Sequence, residues 1–212
     1  FASTCLTPCS LNDTVTVTAT VGNLTTQSSS GGGGVVLIPP PSSSFSGYAY
    51  PFSNVTLLVD GKEFSQTIAN AEGLFFIAVT NLTPGVYVFS LVSQDTTSHY
   101  SSLVTVPLSI GQGTINTVNG IVIPPTLYTN TSEVSKNSTL VISGQTAPYA
   151  QVNIEIKLPD LSTITVSTIS DKIGNYQYLL NVNSSLGVIT IRTRSIVNQK
   201  STPYSKAIQL KV

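Results

Sequence analysis

The chain of 212 residues is long for one small domain and sufficient for two of about a hundred residues each. Only 8% of it is charged and its formal net charge is zero, whereas an ordinary soluble protein is roughly 25% charged. Scattered lysines and arginines leave no basic patch for nucleic acid, and no apolar run approaches the ~18 residues of a membrane span.

Residue 1 is Phe rather than Met, and two cysteines follow closely. Together they read as a secreted chain whose signal peptide has been removed, and so as an extracellular, cell-surface location. Cys5 and Cys9 enclose Leu6-Thr7-Pro8, a turn-like spacer, so a small local disulfide is expected in an oxidising compartment. Next comes Thr14-Val15-Thr16-Val17-Thr18-Ala19-Thr20-Val21, a strictly alternating strand with Val15, Val17, Ala19 and Val21 on one face. Gln27-Ser-Ser-Ser-Gly-Gly-Gly-Gly34 follows as a flexible linker. The twelve residues from Asn23 to Gly34 span at most roughly 40 Å, enough to reach the chain's own first repeat or a neighbour's.

From residue 35 onward period-two alternation dominates and helical periodicity is absent. Val55, Leu57 and Val59 alternate ahead of an Asp60-Gly61 hairpin turn, and Val152, Ile154 and Ile156 alternate in the same way. These strands belong to an internal repeat. Ser46-Gly47 through Pro51 matches Ser143-Gly144 through Pro148 at an offset of 97, and Asn81 through Val88 matches Asn183 through Thr190 at 102. The five-residue difference falls where Lys157-Leu-Pro-Asp-Leu161 makes a longer hairpin. The pattern predicts an all-β chain: a tail at 1–34 carrying a donor strand and linker, then Ig-like sandwiches at 35–123 and 124–212.

The repeats differ at their start. Seventeen residues (Thr126 to Ile142) separate Pro124-Pro125 from the Ser-Gly of repeat two, but five (Pro41 to Phe45) separate Pro39-Pro40 from that of repeat one. The missing dozen is one strand and its turn, so repeat one is expected to lack an edge strand and to expose unpaired backbone and core side chains. Residues 14–21 are the natural replacement, buried through Val15, Val17, Ala19 and Val21.

Asn-X-Ser/Thr acceptors stand at Asn12, Asn23, Asn54, Asn81, Asn130, Asn137 and Asn183, about twice the number chance would supply, as in a glycosylated surface protein. Residues 31–212, through Gly31–Gly34, the Ser-Gly…Pro strings and Val55–Gly61, resemble tandem Ig-like modules in surface proteins of small-genome prokaryotes, a family that implies a location and no activity. A spare strand ahead of an incomplete Ig-like domain also resembles the archaeal thread pilins. That resemblance implies a filament in which each subunit's N-terminal strand completes the next, and it transfers no individual residue.

Chemistry is sparse. His99 is the single histidine and reads as a loop residue, and no Gly-X-Ser-X-Gly elbow or second histidine builds a triad. Asp171, Gly174 and Asn175 read as a hairpin turn rather than a calcium loop. Gly31–Gly34 lacks the lysine and helix of a phosphate cradle. Glu155 and Lys157 face outward and do not suit an isopeptide bond, and Tyr48, Tyr50, Tyr176 and Tyr178 read as caps on the core. No catalytic residue, cofactor or metal is expected. The favoured function is a filament subunit polymerising with identical subunits by strand donation, for adhesion or cell–cell contact. The alternatives are a monomeric stalk or adhesin spacer, and a module that binds surface glycans.

Overall fold

The computed structural model describes residues 15–22, 25–27, 35–183 and 186–212, and these residues contain strands and turns but no helix. The N-terminal half carries β1 (Thr16–Val21), β2 (Thr25–Gln27), β3 (Val35–Leu37), β4 (Ser42–Tyr48), β5 (Asn54–Val59), β6 (Lys62–Ile68), β7 (Leu74–Val79), β8 (Gly85–Gln94), β9 (Val104–Ile110) and β10 (Thr114–Val122). One sheet runs β1-β10-β4-β7, the other β6-β5-β8-β9. Alternation places Phe45, Val55, Leu57, Ile77, Phe89 and Leu91 between them as a shared core. Phe45 and Phe89 meet from opposite sheets with ring centres 4.8 Å apart and planes tilted by 46°. Val59, the last of the inward series, is only partly buried against this core.

The C-terminal half carries β11 (Tyr128–Thr129), β12 (Ser138–Gln145), β13 (Gln151–Lys157), β14 (Thr163–Ile169), β15 (Asn175–Val182), β16 (Val188–Val197), β17 (Lys200–Ser201) and β18 (Ile208–Lys211). The sheet β11-β12-β15 faces β14-β13-β16, where β17 and β18 both pair with β16. Val152, Ile154 and Ile156 are fully buried with Leu140, Ile142 and Ile189 in a second core. The chain is an all-β protein of two Ig-like sandwiches.

The short first repeat is resolved differently from the vacancy its sequence suggests. Repeat two opens with β11, antiparallel to β12, while no strand precedes β4 in the matching position. The slot beside β4 is instead closed from the other end of the repeat. After β9 the chain turns through Gly111–Gly113, crosses to the opposite sheet, and β10 runs back parallel to β4. The expected open edge on repeat one is therefore filled by its own last strand. The residues Val35–Leu37, which introduce repeat one in the sequence, pair with Thr25–Gln27 in a separate two-stranded ribbon.

A glycine in each repeat makes this neighbouring strand fit. A Cβ on Gly47 would stand 1.8 Å from the Ile121 carbonyl oxygen, and one on Gly144 would stand 2.1 Å from that of Thr126. Both belong to the repeated Ser-Gly string, and neither position tolerates a side chain beside the strand it faces.

Candidate functional site

Two features are built beyond what a pair of sandwiches requires: the N-terminal strand and the junction between repeats. Thr16–Val21 pair antiparallel with β10 of the same chain, from Thr16↔Asn119 to Val21↔Thr114, and the Gly22 amide closes the ladder on the Gly113 carbonyl at 2.7 Å. Thr14 lies outside the described residues. Val15 is partly buried against the first core, but the burial expected for the rest of the face is not found. Val17 stands opposite Val118 on the same side of the sheet, yet Val17 is 46% exposed and Val118 0%. Ala19 is exposed, and Val21 is 72% exposed.

The cause is the layer arrangement. β9 is the last strand of the facing sheet, whereas β1 lies one strand beyond β10. Beyond Val15, the apolar face of β1 thus overhangs the sandwich with no described strand opposite it. Backbone hydrogen bonds hold the strand, and the about 1.5–2 kcal/mol that full burial of each valine would supply is mostly forgone.

The two edges at this side of the sandwich are unlike. Val88 exchanges both its backbone groups with Asp60, its amide donating to Asp60 Oδ1 at 2.9 Å and its carbonyl accepting from the Asp60 amide at 2.9 Å. Pro107, paired with Val88, therefore turns its own backbone outward, so the open edge of β9 lacks its central donor. The outer edge of β1, Thr-Val-Thr-Ala-Thr-Val, has neither proline nor charge.

At the junction the repeats meet through equivalent ends. A Cβ on Gly73 would stand 3.1 Å from Pro148 Cδ, and one on Gly174 would stand 3.0 Å from Pro51 Cδ. Gly73 matches Gly174 and Pro51 matches Pro148, so each repeat offers the other the same pair of groups, a reciprocal contact of two-fold type. The reversal of β10 produces it, because β10 delivers the chain to the end of repeat one where β4 also finishes, beside Tyr48. Phe52 and Tyr149, also equivalent, follow the two prolines at positive φ (61° and 53°) and stand exposed.

Polar groups lock the contact. Tyr50 donates its hydroxyl to the Pro124 carbonyl from repeat one, and Tyr176 donates to the Thr126 carbonyl at 2.5 Å from repeat two. Burial pushes both phenols well above their ordinary titration range. The buried Asp95 accepts from the Thr97 amide and hydroxyl and the His99 amide on Oδ1, and from the Thr126 hydroxyl at 2.7 Å on Oδ2. Gln145 Oε1 accepts from the Thr96 amide, and Gln145 Nε2 donates to the Thr96 hydroxyl. His99, read from sequence as a loop residue, stacks on Tyr128 across the junction at 4.7 Å. Asp95, Gln145 and Thr126 carried no sequence motif, and only the repeat boundary beside them pointed to the region.

Of the other sequence-based candidates, Cys5, Cys9, Asn12 and Asn23 lie outside the described residues. Asn81, Asn130, Asn137 and Asn183 are exposed, whereas Asn54 is half-buried in β5 and bonded to Gln66. Asp171 Oδ1 accepts the amides of Ile173 and Asn175, a self-contained turn. Among the described residues no three His, Cys, Asp or Glu side chains cluster as a metal site, and no helix is long and apolar enough to cross a membrane. The longer hairpin of repeat two opens a cleft of about 430 Å³ at the end far from the junction, lined by Leu158, Pro159, Ile164, Leu180 and Ile189.

No family model and no curated protein matches the chain. Among solved structures it is similar to fibronectin(III)-like modules of CbhA from Clostridium thermocellum (12% identity, 83% of this chain, 90% of that one, TM-score 0.29). It is also similar to a tetra-tandem repeat from the extending region of a large adhesion protein (16%, 81% of this chain, 48% of that one, TM-score 0.36). A third is a Ca2+-stabilised adhesin of an Antarctic bacterium (12%, 89% of this chain, 55% of that one, TM-score 0.28). The chain spans about half the length of the latter two.

Proposed function

We propose that the chain is a non-enzymatic, extracellular structural module, a stalk or adhesin spacer that holds two sandwiches end to end as one stiff unit. The observation that carries this reading is the junction. Reciprocal proline–glycine contacts and a buried carboxylate accepting from both repeats make a connection that resists bending, as a spacer under load requires. A sparsely charged surface rich in hydroxyls and amides suits exposure to changing salt and acidity. Glycans on Asn81 and Asn183, which occupy equivalent loops far from the junction, would add protease resistance, and the proposed Cys5–Cys9 disulfide would close the tail.

Strand donation into a vacant first repeat, the favoured reading of the sequence, gives way to this one because β10 closes the slot such a filament would fill. A second reading retains identical subunits as partners and is favoured by one observation. The outer edge of β1 carries neither proline nor charge, and exposed valines stand beside it. Copies would then associate through that edge, or exchange β1 between them.

Size-exclusion chromatography and negative-stain microscopy of the full chain separate the two. The spacer elutes as a monomer and shows short rods at all concentrations. Fibres that disappear in V17D would replace the spacer reading with the filament.

A further inference from the structure

The chain contains two arginines, Arg192 and Arg194, and both lie on β16 two residues apart, so they share the outer face of the β14-β13-β16 sheet. The first repeat serves as an internal control. At the equivalent places on β8 it has Ser90 and Val92, and where repeat two has Glu155 it has Leu58. The sandwich therefore folds without these charges.

Their arrangement is specific. Arg192 Nε donates to Glu155 Oε1 at 2.7 Å, and the Tyr204 hydroxyl donates to Glu155 Oε2 at 2.9 Å, which occupies both carboxylate oxygens. The Arg192 guanidinium lies 4.0 Å from the centre of the Tyr204 ring and that of Arg194 5.2 Å, so one aromatic plane orients both forks. Glu155 is the acid within ion-pair distance of Arg192, and Arg194 has none among the described residues. Lys157, two residues along β13 from Glu155, shares this outer face. Three cations against one anion stand here, in a chain whose net charge is zero. Around them the sheet presents amides and hydroxyls, with Asn153 opposite Arg194 and Ser167 opposite Asn153.

We propose that this face binds an acidic polysaccharide, a uronate-type polymer, with the Arg194 fork, oriented by the Tyr204 ring, taking the carboxylate and Asn153 and Ser167 meeting the sugar. A guanidinium pairs bidentately with carboxylate, and flanking neutral hydrogen-bonding groups suit hydroxyl-bearing rings better than an apolar protein surface. Single contacts are weak, and a polymer of repeated carboxylates converts them into avidity. The assignment adds a ligand to the spacer and stands whether or not copies associate.

Affinity electrophoresis of the full chain in gels containing polygalacturonate, uncharged dextran or poly-glutamate tests it. Retardation by polygalacturonate alone is expected, weakening as salt is added. R194Q should raise the apparent Kd by roughly tenfold, the loss of one charge-assisted pair, while K62Q on repeat one leaves it unchanged. Equal retardation in dextran or poly-glutamate overturns the assignment. So does R194Q migrating as the wild type, or K62Q losing as much as R194Q.

Discussion

Tyr50 and Tyr176 reach the connecting segment from opposite repeats, and each donates its hydroxyl to a linker carbonyl. Replacing either by Phe leaves the ring packed and strands a buried acceptor, so Y50F and Y176F should each cost about 1–2 kcal/mol in urea unfolding. Burial also raises both phenols above the usual tyrosine range. The folded state therefore keeps them neutral where the unfolded chain, titrating near ~10, begins to ionise. Their contribution is complete below about pH 10 and is lost as pH rises from there towards the folded-state value. Ultraviolet difference titration should show two of the nine tyrosines ionising only as the protein unfolds. If all nine titrate together in the folded protein, the two hydroxyls are not held as described.

At the scale of elements, Gly47 and Gly144 show why repeated strings keep glycine where neighbouring strands vary. The two face different partners, β10 in repeat one and the segment at Thr126 in repeat two, and both meet a carbonyl oxygen far inside contact distance. G47A and G144A should each destabilise their own repeat by more than about 2 kcal/mol, read by chemical denaturation, because the backbone must move to admit a methyl group. β1 is the opposite case. It has a full ladder but little burial, and stability follows burial more than hydrogen-bond count. Its amides should exchange with solvent faster than those of β4 and β5 by orders of magnitude in hydrogen-exchange mass spectrometry. Equal protection would mean that something covers the overhanging valines.

For the whole molecule the decisive group is Asp95, buried at the junction and accepting from both repeats. D95A removes the acceptor while leaving the Thr97, His99 and Thr126 donors in place. It should cost about 2–4 kcal/mol and, more tellingly, divide one unfolding transition into two. Small-angle scattering should record a wider distribution of shapes for D95A than for the wild type. A single transition in both proteins would show that the repeats are coupled by packing alone.

The alternation of Val55, Leu57 and Val152 through Ile156, the offsets of 97 and 102 and the turn residues were enough to read two β-sandwiches. Those signals are local, repeated and set by which face each side chain must bury. The same alignment showed that a strand was missing before β4. It did not show what stands in its place, because period-two alternation marks a segment as a strand without naming its partner. Pairing among such strands is decided by which connection reaches and which layer covers the face. Gly111–Gly113 let β10 return at once beside β4, and this pushed β1 one strand past the end of β9. The polarity of that return also turned repeat one to face repeat two, and so brought Asp95 to Thr126 and His99 to Tyr128. These residues are 31 and 29 positions apart in the chain, and no spacing rule joins them until the fold does.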